Sequence, residues 1–191
     1  MIKRIFVSID LPREVREYFI RIQNPGIYWI KWMKSGNLHI TLNFLGDLNS
    51  PQIENAKQVL LDVANLHSAF ELTLDTVKQE RDMLWIMPSR SSSVDDIAET
   101  LKERLKHARL GKRERRSFNP HVLLGRSKTG RYMKWKPENF KPVTFTVDKI
   151  NLYESELTPG AATHRLIESF DLGDNLSLFP SPHEGRAGEG S

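Results

Sequence analysis

The amino-acid sequence predicts an α+β fold built on largely antiparallel sheets. Two observations carry this expectation. Strand-like and helix-like segments are mixed at hairpin-like spacing instead of following a regular parallel β-α-β winding, and the order of elements in the first half recurs in the second. With 191 residues, 39% of them hydrophobic and 27% charged, the chain can bury a core as one large domain or as two closely packed lobes.

The elements follow in order. Residues 3–9 (KRIFVSI) are β-branched and aromatic and stop at Asp10-Leu11-Pro12, where Pro12 suits the first turn of a helix. Over 13–23, Val15, Tyr18, Phe19 and Ile22 recur at spacings of three and four, which gives an amphipathic helix ending before Asn24-Pro25-Gly26. Strand-like pieces at 28–33 and 38–45 are separated by the turn residues Lys34 to Asn37. Ser50-Pro51 signals a second helix, as cap and first-turn proline, with Ile53, Ala56, Val59, Leu60 and Val63 on its buried stripe. Strands at 70–78 and 83–87 precede a helix starting near Ser93, with Ile97, Leu101, Leu105 and Ala108 on one face. After a basic connection at 106–116, strands are expected at 119–125, 143–153 and 163–171. From 174 onward Gly, Pro and Ser dominate and periodicity is lost, so 174–191 read as a disordered tail in which His183 has no chemistry.

Composition narrows the function. The absence of cysteine removes disulfide scaffolds, thiolate metal sites and cysteine nucleophiles together. No apolar run approaches the roughly 20 residues that span a bilayer, so no membrane partner is expected. The opening MIKRIFVSIDLP reads as a strand, not a signal peptide, and a cytoplasmic protein is expected. The net charge is +4, of which the tail from Asp174 contributes −2, so residues 1–173 carry +6. A moderate basic excess suits an anionic partner such as nucleic acid or a phosphorylated metabolite.

Two histidine-bearing strands stand out. In Leu38-His39-Ile40-Thr41-Leu42-Asn43-Phe44 the alternation places His39, Thr41 and Asn43 on one face and Ile40, Leu42 and Phe44 on the other. A second histidine enters a second apolar strand at Phe118-Asn119-Pro120-His121-Val122-Leu123-Leu124-Gly125-Arg126. The repetition suggests a duplication whose pseudo-twofold arrangement would bring His39 and His121 to opposite walls of one cleft.

The runs HITLNFLG (39–46) and FNPHVLLGR (118–126), the opening RIFVSIDLP (4–12) and the closing INLYESEL (150–157) resemble the 2H phosphoesterase superfamily. Within it they are most similar to the RNA 2′,3′-cyclic phosphodiesterases, also called 2′-5′ RNA ligases. The resemblance implies a single bilobal domain over 1–173, with two antiparallel sheets flanking a central cleft. It also implies His39 as proton donor, His121 as proton acceptor, and Thr41 and Arg126 as phosphate-binding groups, with no cofactor. The partners implied are RNA ends or small cyclic-phosphate nucleotides. No obligate protein partner is called for, and a monomer is expected.

The chemistry fits these residue types. A strained cyclic phosphate needs a base for the attacking water and an acid for the departing ribose oxygen, and two imidazoles titrating near neutrality can supply both. The expected reaction is hydrolysis of a terminal 2′,3′-cyclic phosphate to a 2′-phosphomonoester, with 2′-5′ ligation as its reverse. The alternatives are a phosphodiesterase for small cyclic nucleotides and a weakened RNA-end-binding protein. A metal site is not expected, since neither histidine sits in a His-x-x-x-His or carboxylate-spaced pattern. No serine-nucleophile elbow or phosphate-cradling glycine loop occurs.

The second motif departs from the His-x-Thr-x pattern, because residue 123 is leucine. Losing one hydrogen bond to a charged group costs about 1.5–3 kcal/mol, on the order of 10–100-fold in binding or rate. Strict alternation also puts Arg126 opposite His121, so it reaches a phosphate only if the strand ends or bulges near Gly125. The basic run 106–116 could guide an RNA backbone. Trp32, Tyr132 and Trp135 are candidate base-stacking residues. His67 and His107 read as surface residues, and His164 as a neighbour of the cleft.

Overall fold

The computed structural model describes residues 1–88, 92–111, 118–132, 135–158 and 161–173. The expected tail and residues 112–116 of the basic connection lie outside them. Nine strands appear among the described residues: β1 (Lys3–Asp10), β2 (Ile30–Trp32), β3 (His39–Leu48), β4 (Phe70–Glu80), β5 (Met83–Pro88), β6 (Val122–Ser127), β7 (Val143–Val147), β8 (Lys149–Thr158) and β9 (Ala161–Asp171). The α-helices are α1 (Arg13–Arg21), α2 (Ser50–Leu66) and α3 (Ser92–His107). None of them is long and apolar enough to cross a membrane.

The strands form one antiparallel sheet in the order β7-β4-β5-β6-β3-β1-β8-β9, with β2 paired to β6. The two expected sheets are thus halves of a continuous one. They meet at a narrow seam, where β3 and β6 pair through Ile40 and Val122. The helix stripes pack as the periodicity predicts. Ile53, Ala56, Val59, Leu60 and Val63 of α2, and Ile97, Leu101 and Leu105 of α3, are buried in the same core as Ile5, Val7 and Ile9 of β1. Burying each of the valine, leucine and isoleucine side chains contributes about 1.5–3 kcal/mol.

Two local expectations are corrected. The cap of α2 is Asn49, one residue before Ser50. Its side chain accepts from the Gln52 amide while the Gln52 side chain accepts from the Asn49 amide, so a capping box satisfies two helix-end donors at once. The stretch expected as one strand over 143–153 breaks at Asp148. β7 pairs with β4 in one half of the sheet and β8 with β1 in the other, so the chain crosses between halves at that point.

Candidate active site

The seam places both histidines. Ile40 and Val122 are fully buried partners, and each is immediately preceded by a histidine. Antiparallel pairing relates the two strands by a local twofold axis through that pair, and both imidazoles line one cleft of about 800 Å³. Carrying the register one residue to either side sets Thr41 opposite His121 and Leu123 opposite His39. Both also line the cleft. The missing hydroxyl therefore belongs to the His39 side.

Each ring is held through the backbone of an asparagine two residues upstream. His121 Nδ1 lies 2.7 Å from the Asn119 carbonyl, to which it donates, so its Nε2 lone pair is free to take a proton. The Trp85 indole, only 8% exposed, stacks on the same ring at 3.9 Å with 20° between planes. His39 Nε2 lies 3.1 Å from Thr41 Oγ1. Burial, and then the neighbouring His164, push the His39 imidazole down to about 4, against a backbone hydrogen bond to Asn37 that pulls the other way. Burial also lowers His121, opposed by its bond to Asn119, and lowers His164. Burial in the cleft consequently favours neutral imidazoles.

Bulges decide which other side chains arrive. Between β5 and β6 the register passes from Leu84–Gly125 to Trp85–Leu123, skipping Leu124. This extra residue resets the alternation, so Arg126 joins Leu123 and His121 in lining the cleft. Its guanidinium rests 3.1 Å from Met83 Sδ and 3.5 Å from an Asp82 carboxylate oxygen and is half exposed. On β3 the register with β1 skips Leu42 and Leu45. Phe44 therefore leaves the core face on which strict alternation places it. It is 52% exposed and lies against Phe6 in the cleft. Gly46, at the second of these bulges, has φ of +80°, a backbone that a side chain would strain.

The aromatic residues expected to stack on bases are elsewhere. Trp32 packs edge-on against Trp135 and donates from Nε1 to the Asn24 carbonyl, and Tyr132 is exposed; none of the three lines the cleft. Phe6, Phe44, Trp85 and Phe118 do. The alternation of Met83 and Trp85 in MLWIM is the sequence signal that could have found Trp85. His164, expected only as a neighbour, is in the cleft with its ring 5.3 Å from that of His39. His67 is partly buried, with Nε2 lacking a partner. Of the basic connection, Lys106 pairs with Glu103, and 112–116 lie outside the described residues. Among the described residues no three His, Asp or Glu side chains are grouped to hold a metal ion.

A two-lobed antiparallel sheet presenting one histidine from each half to a shared cleft defines a two-histidine phosphoesterase architecture. A model of the 2′-5′ RNA ligase superfamily matches residues 31–159, and the chain belongs to that superfamily. Among its relatives is the RNA 2′,3′-cyclic phosphodiesterase of Methanocaldococcus jannaschii, 27% identical over 87% of this chain and 99% of the relative. The protein of the same name from Escherichia coli is 28% identical over 89% of this chain and 97% of the relative. The crystal structure of Escherichia coli LigT complexed with 3′-AMP superposes with a TM-score of 0.73 at 23% identity, covering 90% of this chain and 99% of the other. A phosphoesterase crystal structure gives 0.77 at 24% identity, over 90% and 99%.

Proposed function

We propose that this chain hydrolyses terminal 2′,3′-cyclic phosphates of RNA to 2′-phosphomonoesters by two-histidine acid–base catalysis. The observation that carries the proposal is the pair of imidazoles flanking one seam, each tied to the backbone of an upstream asparagine. The names of the curated relatives and the complex of the Escherichia coli structure with 3′-AMP support an RNA or nucleotide ligand.

In this mechanism His121 Nε2 removes a proton from water as the water oxygen bonds to phosphorus. The bond from phosphorus to the ribose 3′-oxygen breaks, and His39 delivers the proton that this oxygen needs. Thr41 and Arg126 face the same cleft as donors to the non-bridging oxygens, where charge builds up. Thr41 must then exchange its contact with His39, and Arg126 its contact with Met83, for the phosphate. His39, pushed down to about 4 by burial and His164, is neutral near pH 7 without substrate. The anionic cyclic phosphate raises it, so the acid is loaded as the substrate binds.

The test is incubation, with a chelator present, with an RNA oligonucleotide ending in a 2′,3′-cyclic phosphate and with cyclic mononucleotides, followed by identification of the product isomers. A 2′-phosphate from the oligonucleotide is expected. Turnover confined to mononucleotides would move the substrate class to small cyclic nucleotides. RNA binding without turnover would favour an end-binding protein, a reading that Leu123 opposite His39 motivates.

A further inference from the structure

We infer that His164 is a third functional imidazole of the cleft, donating a hydrogen bond to the substrate phosphate beside His39, where Leu123 across the seam supplies no hydroxyl. This rests on the cyclic-phosphate reading of the cleft. His164 sits on β9 opposite Ser155 of β8, and both line the cavity. Its ring meets that of His39 at 5.3 Å, nearly perpendicular, and packs edge-on against Phe6 at 4.9 Å. The ring is therefore fixed in place by aromatic contacts.

The polar atoms of that ring have no hydrogen-bond partner among the described residues. Nδ1 is buried without a partner, and no hydrogen bond joins the ring to another described residue. A buried unpaired N–H is rarer in proteins than an unpaired acceptor. The favoured tautomer accordingly leaves the lone pair on Nδ1 and carries the hydrogen on Nε2, as a donor available to a ligand. A group needed only for packing beside Phe6 and His39 would have no use for that donor, since phenylalanine fills the same shape. Leu123, across the seam from His39, adds no hydroxyl to the one that Thr41 already presents to that imidazole. His164 and Leu123 thus lie on the two sides of one histidine strand, both lining the cleft, and a donor at either position would serve the phosphate that His39 acts on.

A double-variant comparison tests this, using inorganic phosphate affinity by calorimetry and turnover of an RNA oligonucleotide ending in a 2′,3′-cyclic phosphate. His164→Phe should lose about 10-fold or more in phosphate affinity and in kcat/KM, with an unchanged circular dichroism spectrum. His164→Gln, which keeps an N–H donor, should retain most of both and serves if the phenylalanine variant does not fold. Leu123→Thr should restore much of the loss in the His164→Phe background and improve the parent chain less, because the two donors share one task. Equal phosphate affinity in His164→Phe and the parent, equal losses in the Phe and Gln variants, or an identical gain from Leu123→Thr in both backgrounds would each overturn the inference. A parent chain that binds phosphate through His164 but hydrolyses no cyclic phosphate would sink the hydrolytic function and leave this role standing.

Discussion

At the scale of single residues, the two histidines are alike in how they are held and unlike in what surrounds them. Both are tied to an asparagine backbone two residues upstream, yet His121 lies under the Trp85 indole and His39 against His164 and Phe6. An acid–base pair acts as a unit, so His39→Ala and His121→Ala should each lower turnover by about 10²–10⁴-fold. Single-turnover assays on the cyclic-phosphate oligonucleotide check this, and an unaffected His121→Ala variant would contradict the assignment. Under the proposed mechanism, the low position of His39 makes proton uptake part of binding. Calorimetry of adenosine 2′,3′-cyclic phosphate binding to His121→Ala near pH 6.5, in buffers of different ionisation enthalpy, should show a buffer-dependent heat. A heat independent of buffer would mean that His39 stays neutral.

At the scale of elements, strand bulges build the site. Gly125 lies directly after the bulge on β6, packed under β2. A Cβ built there would fall 2.8 Å from Ile30 Cγ2 and 3.1 Å from Trp32 Cε3. Gly125→Ala must push β2 away or shift β6, and overpacking of this kind costs about 1–3 kcal/mol. Urea denaturation should show that loss, and phosphate affinity should fall with it because Arg126 follows the bulge. A variant as stable as the parent with unchanged affinity would show that β2 yields freely. These bulges explain which face assignments were legible in the sequence. His39 and Thr41 precede the first irregularity on β3, and alternation placed them correctly. Phe44 lies beyond it and was misplaced. Arg126 depended on a bulge that the local sequence permits but does not by itself impose.

At the scale of the whole molecule, the buried imidazoles link stability to pH. His39 is lowered to about 4 from 6.5, and His67, His121 and His164 are lowered in the same direction. Between those two values the unfolded chain binds more protons than the folded one, so stability rises with pH and is lost as pH falls from about 6.5 towards 4. His39 alone accounts for roughly 2 kcal/mol between pH 7 and pH 5. Urea midpoints at the two pH values measure it, and His39→Phe should flatten the difference. Equal midpoints for the parent chain would remove the buried neutral state of His39.

The sequence by itself determined the helix stripes, the antiparallel class, the two histidine strands, Thr41 beside His39 and the leucine at 123, because each depends on residues a few positions apart. Tertiary structure decided the rest. A bulge exists only relative to a partner strand, so the faces of Phe44 and Arg126 were set by β1 and β5. The joining of the halves through Ile40 and Val122, the Trp85 indole on His121 and the His164 ring beside His39 bring together segments distant in the chain. Their proximity is a property of the closed sheet, to which no local period refers.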